Sequence, residues 1–113
     1  EHWYLGVGGD IVVHGRPAGR DCWTIAIADP SKRSAVITGI TVTGGAVATS
    51  GTAARGAHLF DPHTRQAVGR PGSTSVVGPD LLWSDIWATA LFVGGATTRA
   101  AFAEHPAYEV VDL

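Results

Sequence analysis

Two oxygen-bearing side chains, Asp85 and Thr89, stand four residues apart in the segment SDIWATALFVGG, residues 84–95. In a helix this spacing places both side chains on one face. Because the segment is apolar almost all round, we expect a buried helix, in which a carboxylate without a partner would be costly. A carboxylate and a hydroxyl are oxygen ligands of the kind that Mg²⁺ prefers, and two of them suit an ion that keeps waters and also binds phosphates.

Asp85 and Thr89 could instead have a purely structural role, and the helix alone does not distinguish this role from metal binding. Asp85 would then hydrogen-bond nearby backbone, and Thr89 would bond to the carbonyl four residues earlier. Neither interpretation requires any other part of the chain, so the spacing by itself does not decide between them.

Glycines form a second candidate feature in GVGGD, residues 6–10. Glycine lets the backbone approach a ligand closely. The dinucleotide-binding fingerprint needs a third spaced glycine and a following helix, whereas here more strand follows. Taken alone, Gly8 and Gly9 favour a hairpin turn or a bulge.

A serine precedes a histidine in ATSGTAARGAHLFDP, residues 48–62, where Ser50-Gly51 comes shortly before His58. Serine with histidine is typical of acyl transfer. No nucleophile elbow accompanies them, so a serine hydrolase is not supported, and a lone histidine on a short strand is usually structural.

The elements that must position these residues are mostly strands. Alternating and β-branched segments predict strands at 3–7, 10–14, 22–28, 34–43, 46–50, 57–60, 73–78 and 108–113, with a loop over 62–72. Asp80 is the expected N-cap of a helix over 81–93 that Gly94-Gly95 ends. A shorter helix is expected over 98–104, with Thr97 as its cap and Pro106 closing it.

The order of these elements predicts an α+β fold. It would have a largely antiparallel sheet, one long buried helix and a short helix near the C-terminus. Trp83 and Trp87, four residues apart beside Asp85 and Thr89, are expected in the core.

Composition excludes several classes of function. The chain has 113 residues, enough for one domain with a core, and a formal net charge of −2 with no basic run, which argues against a nucleic-acid or anionic-membrane surface. One cysteine, Cys22, excludes an internal disulfide framework. No apolar run reaches the roughly 18 residues of a transmembrane segment.

Four segments taken together, in order, are more specific than any one of them. GGD at 8–10, TSG at 49–51, HLFDPHT at 58–64 and SDIWATALFVGG at 84–95 resemble the carboxyl-terminal half of the ApbE family, the flavin transferases. The likeness covers nearly the whole chain. The resemblance implies an ApbE-like but incomplete fold, with residues 1–113 as the carboxyl-terminal part of a flavin transferase domain.

The resemblance also implies an activity. The family takes FAD as donor, with Mg²⁺, and moves FMN onto a threonine hydroxyl of a target protein with release of AMP; some members instead hydrolyse FAD to FMN and AMP. In this chain the resemblance assigns the metal to Asp85 and Thr89 and the base that activates the acceptor hydroxyl to His58. The residues that it places along FAD are Gly8, Gly9, Ser50, Gly51 and Leu59.

This chain differs from the ApbE pattern at several positions and in its length. Ala53-Ala54 stand where the family often has an aromatic residue, and Arg65 replaces the usual glycine after the motif threonine. The amino-terminal half of the family is not in the chain, so the expected partners are that half or a second chain, together with an acceptor protein. FAD pyrophosphatase activity and a non-catalytic flavin-binding module remain as alternatives. The Ala-, Gly- and Arg-rich composition suggests a bacterial source. The sequence leaves the location of the protein open between the cytoplasm and the cell envelope.

Overall fold

The structure is a computed structural model, and it describes most of the chain. The described residues are 2–7, 10–17, 19–29, 32–51, 60–61, 66–67, 72–94 and 96–112. Nine strands and two helices lie within them: β1 (Trp3–Val7), β2 (Asp10–His14), β3 (Trp23–Asp29), β4 (Lys32–Val42), β5 (Gly45–Gly51), β6 (Phe60–Asp61), β7 (Gln66–Ala67), β8 (Ser73–Gly78), α1 (Leu81–Val93), α2 (Ala96–Phe102) and β9 (Glu109–Asp112).

A five-stranded antiparallel sheet in the order β1-β2-β5-β8-β9 organises the fold. β5 and β8 lie in its centre and pair over six positions, from Ala46 opposite Gly78 to Gly51 opposite Ser73. β3 and β4 form a separate antiparallel pair, as do β6 and β7. The α+β class and the largely antiparallel sheet are therefore confirmed.

Side-chain alternation along β5 gives the sheet two covered faces. Ala48 packs with Ala88 and Leu91 of α1, on what we call the helix-side face. Val47, the preceding residue, packs with Ile25 and residues of β2 and β4, on what we call the hairpin-side face. Because β5 is buried on both faces, a side chain near its end points either to α1 or to the β3–β4 pair.

The cap residues of α1 explain its position. Asp80 is extended (φ −129°, ψ 126°), and its side chain accepts a hydrogen bond from the Leu82 amide at 2.8 Å. At the other end the Gly94 amide donates to the Ala90 carbonyl at 2.7 Å. The sequence prediction of a helix over 81–93, capped by Asp80 and ended by Gly94, is confirmed.

The burial of α1 differs from the expectation. Its buried residues lie on one face, and the opposite side is exposed although it is apolar: Leu82 is 63% exposed, Trp83 51% and Ile86 44%. The prediction that Trp83 belongs to the core is wrong, whereas Trp87 is half-buried and packs edge-on against Phe102. A helix that is apolar on all sides does not indicate which of those sides packs against another element of the fold.

Smaller differences concern boundaries. α2 begins at Ala96, so Thr97 lies inside it and is not its cap, and it ends at Phe102 before a turn. Gln66–Ala67 form a short strand within the segment predicted as a loop, pairing with Phe60–Asp61. Residues 57–59 of the predicted strand 57–60 lie outside the described residues.

Candidate functional site

The candidate site lies where the end of β5, the start of β8 and the second half of α1 meet. α1 follows β8 after a short turn and runs back across the sheet, which carries Thr89 towards the end of β5. On the helix-side face Ser50 of β5 lies opposite Thr74 of β8. The meeting of these three elements brings hydroxyl groups together at one end of the sheet.

Ser50 and Thr89 are in direct contact there. The two hydroxyl oxygens lie 2.9 Å apart and share a hydrogen bond. Ser50 is buried, with 8% of its surface exposed, and Thr89 is half-buried. Two residues that the sequence placed on different motifs thus form one contact between the sheet and the helix.

Asp85 lies one helical turn before Thr89, and its environment differs from the expectation. It is exposed, so the prediction of a buried carboxylate that needs a partner is wrong. Residues at this spacing are neighbours on a helix surface, with Cβ atoms about 5–6 Å apart. Asp85 is therefore a neighbour of Thr89 on the helix surface, and its exposed side chain is accessible to a ligand.

Asp10, the last residue of the Gly-Gly-Asp segment, supports the end of β5. The β2–β5 register runs from Val13 opposite Gly45 to Ile11 opposite Val47. Beyond this point the Asp10 carboxylate accepts a hydrogen bond from the Thr49 amide at 3.4 Å. A side chain thus continues the pairing where the backbone ladder stops, immediately before Ser50. Sequence reasoning did not assign this role, although an acidic residue after two glycines at a strand start was a usable signal.

A second pair of hydroxyls lies on the opposite, hairpin-side face. Thr49 and Ser75 are directly across from one another, and their hydroxyl oxygens lie 2.7 Å apart. Ser73, also buried, has no hydrogen-bond partner for its Oγ in the structure. Strand alternation thus sends neighbouring hydroxyls of β5 to different faces, Thr49 to the hairpin side and Ser50 to the helix side.

A third contact ties the far edge of the sheet to α2. The fully buried Thr74 donates a hydrogen bond to Asp112 Oδ1 at 2.9 Å, and Arg99 pairs with Asp112 Oδ2 at 2.6 Å. The Arg99 and Asp112 side chains are both over 40% exposed, so solvent screens the ion pair and it adds little stability. The two contacts join α2 to β9 and β9 to β8, the strand that lies opposite Ser50.

Gly51 follows Ser50 directly and is the last residue of β5. A Cβ at Gly51 would lie 2.8 Å from the Gly72 carbonyl oxygen, so a larger residue would push β5 and β8 apart at this point. The other residues that the resemblance places near the cofactor or the acceptor lie outside the described residues: Gly8, Gly9, His58 and Leu59. Their roles stay predictions.

The described donors fit a hard cation in part. Asp85 supplies a carboxylate and Thr89 a hydroxyl, and both are oxygen ligands of the type that Mg²⁺ binds. Within the described ranges no group of three or more His, Cys, Asp or Glu side chains could hold a metal ion. These residues therefore suit an ion that takes its remaining ligands from water, from phosphate and from other protein segments.

Comparison with known proteins identifies the family. The model of the ApbE family matches residues 1–111. The chain belongs to the ApbE family. The resemblance inferred from the four motifs is thereby confirmed, and with it a relationship to flavin transferases.

A solved ApbE structure supports the same conclusion. The crystal structure of the ApbE protein from Thermotoga maritima is similar over 98% of this chain, with a TM-score of 0.80 and 28% sequence identity. This chain covers 39% of the length of the Thermotoga chain. A search of curated proteins gives no significant match.

Two further observations concern the described part of the molecule. None of its helices is long and apolar enough to cross a membrane. The Ser-Gly segment and the Asp-x-x-x-Thr helix, which are ApbE motifs far apart in the sequence, meet through Ser50 and Thr89.

Proposed function

We propose that this chain is the carboxyl-terminal part of a Mg²⁺-dependent FAD:protein FMN transferase. The observation that carries the proposal is the 2.9 Å contact between Ser50 and Thr89, in a chain that matches the ApbE family over residues 1–111. It joins the Ser-Gly segment to the helix that bears Asp85, so the oxygen donors of two family motifs lie at one end of the sheet.

Asp85 and Thr89 are the residues that would hold Mg²⁺ in this proposal. When bound, the ion would neutralise charge on the pyrophosphate of FAD during phosphoryl transfer. The exposed position of Asp85 agrees with this role, because its carboxylate can reach an ion without first being desolvated in the protein.

The transfer step forms one bond and breaks one. The hydroxyl oxygen of the acceptor threonine attacks the phosphorus of the FMN moiety, and the bond from that phosphorus to the bridging oxygen of FAD breaks. AMP leaves with the bridging oxygen, and the hydroxyl proton goes to a base. His58 is the proposed base, since imidazole can accept a proton near neutral pH.

The remaining proposed contacts belong to the cofactor. The proposed FAD-binding set is Gly8, Gly9, Ser50, Gly51 and Leu59, on segments where glycine lets the backbone approach a ligand closely. Further contacts would come from an amino-terminal segment or a second chain, because this chain covers 39% of the Thermotoga ApbE protein.

The test uses the full-length protein with FAD, Mg²⁺ and an extract of the source organism from which the gene has been deleted. The expected result is a flavin-fluorescent protein band that survives denaturation, with FMN located on a threonine by mass spectrometry. Omitting Mg²⁺ or introducing Asp85→Asn should abolish the band.

A matched control is available on the same helix. Asp80→Asn makes the same chemical change at an exposed carboxylate that caps the helix, and asparagine is an equally good N-cap, so the band should remain. Release of FMN and AMP with no protein-bound flavin would contradict the transferase and indicate FAD pyrophosphatase activity. Flavin binding with neither product would indicate a non-catalytic module.

A further inference from the structure

The hydrogen bond between Ser50 and Thr89 bears on how Thr89 can bind a cation at all. A threonine hydroxyl has one proton and two lone pairs. To coordinate a cation, the oxygen must direct a lone pair towards the ion and its proton elsewhere. Either oxygen of the 2.9 Å pair can be the donor; when Thr89 donates, both of its lone pairs remain for an ion, whereas only one remains when Ser50 donates.

We infer that Ser50 is a positioning residue: its Oγ accepts a hydrogen bond from the Thr89 hydroxyl and leaves both lone pairs of Thr89 available to a divalent cation beside Asp85. This inference rests on the proposed function, because it needs Asp85 and Thr89 to be metal ligands. It assigns to Ser50 a role different from the direct cofactor contact that the ApbE resemblance implies.

The rotamer of Thr89 gives the hydrogen bond a second effect. Threonine in a helix divides between two χ1 rotamers, because its hydroxyl can also bond to the carbonyl three or four residues earlier. For Thr89 that competing acceptor includes the carbonyl of Asp85. The bond to Ser50 holds the hydroxyl away from this alternative and keeps it at the boundary between α1 and β5.

The rigidity of Ser50 makes it suited to this role. It is 8% exposed and lies in a six-position pairing with β8. The preceding residue, Thr49, is held by Asp10 through its amide and by Ser75 through its hydroxyl. The acceptor for Thr89 is therefore on a strand that is fixed from both sides, and outer partners of this kind orient metal ligands.

The test is calorimetric titration of Mg²⁺ into the full-length protein saturated with FAD. Ser50→Ala should raise the Kd for Mg²⁺ by about 10-fold, the lower end of the range for loss of an outer-shell partner. Ser50→Cys, which fills nearly the same space with a weak acceptor, should raise the Kd similarly if the alanine variant folds poorly. Ser50→Thr retains a hydroxyl at this position and should have a Kd for Mg²⁺ close to that of the unaltered protein.

Two controls separate positioning from a general structural effect. Ser73→Ala removes another buried hydroxyl, which has no hydrogen-bond partner in the structure and lies on the opposite face of the same sheet, and should leave the Kd for Mg²⁺ unchanged. In a Thr89→Val background, Ser50→Ala should have no further effect, because the group that it positions is gone. Thermal unfolding of each variant verifies that it is folded.

The outcomes distinguish this inference from the proposed function. If Asp85→Asn raises the Kd for Mg²⁺ and Ser50→Ala does not, the positioning role is wrong and the metal site stands. An equal effect of Ser50→Ala with and without the Thr89 hydroxyl also overturns the role. If neither Asp85→Asn nor Thr89→Val changes the Kd, the proposed metal site fails, and the inference fails with it.

Discussion

The hydroxyl oxygens of Ser50 and Thr89 lie 2.9 Å apart, although the residues are 39 positions apart in the sequence. One belongs to the buried end of a central strand and the other to the edge of the buried face of a helix. The contact exists because α1 turns back over the sheet after β8 and runs towards the end of β5. The contact joins the β5 part of the candidate site to the α1 part, so substitutions on either element test the same site.

Binding of FAD and Mg²⁺ should be mutually dependent. If an ion held by Asp85 and Thr89 lies on the pyrophosphate, each ligand should raise the affinity for the other by the same factor. Calorimetric titrations of the full-length protein, with each ligand in the absence and presence of the other, measure this factor. Asp85→Asn should bring it to one, and Asp80→Asn should preserve it; equal loss in both variants would contradict a specific role for Asp85.

Removing the N-cap of α1 should destabilise the protein. Asp80→Ala deletes the carboxylate that accepts from the Leu82 amide at 2.8 Å, at an expected cost of about 1 kcal/mol in the free energy of unfolding. Asp80→Asn keeps a capping oxygen and should change stability little. Urea unfolding followed by far-UV circular dichroism compares the two. A loss of the same size in both variants would show that the charge, and not the cap geometry, is responsible.

The turn before β5 should tolerate a side chain at one glycine and not at the next. Gly45 has φ of 106°, and a Cβ there would lie 2.5 Å from the Gly78 carbonyl oxygen. Gly45→Ala should therefore cost about 2 kcal/mol in the free energy of unfolding. Gly44→Ala is the matched control, because a Cβ at Gly44 meets nothing within 4 Å. Equal stability of the two variants in urea would disprove the constraint at Gly45.

The Asp10 carboxylate should protect one amide. Asp10→Ala removes the acceptor of the Thr49 N–H, so hydrogen exchange of that amide should accelerate, with a cost of about 1 kcal/mol in stability. Asp10→Asn keeps an acceptor oxygen and should retain most of the protection. The Val47 amide, in the paired part of β5, serves as an internal reference. Unchanged exchange at Thr49 in the alanine variant would mean that the contact contributes nothing.

The exposed apolar side of α1 should make the isolated 113-residue chain self-associate. Leu82 is 63% exposed and Ile86 44%, and contiguous apolar surface of this kind promotes association. The double variant Leu82→Lys with Ile86→Lys should lower the average mass in light scattering at high concentration. Ala100→Lys, at an exposed position of α2, should not. A monodisperse monomer of the unaltered chain would contradict the prediction.

Local signals determined much of the fold. The strands β1, β2 and β8 and the helix α1 begin and end where the sequence predicts, because glycine turns, β-branched alternation and the Asp80 and Gly94 caps act within a few residues. The sequence motifs also identified the ApbE family, which the family match confirms. Asp85 and Thr89 were recognisable as a pair because their relationship depends only on helical spacing.

Only the tertiary structure decided burial and partners. The apolar residues around Asp85 predicted a buried helix, yet Asp85, Trp83 and Ile86 are exposed, since burial depends on which elements pack against each side. The contact between Ser50 and Thr89 likewise follows from the direction in which α1 crosses the sheet. Spacing within one helix is a local property of the chain, whereas the neighbours of a side chain are set by how distant segments pack.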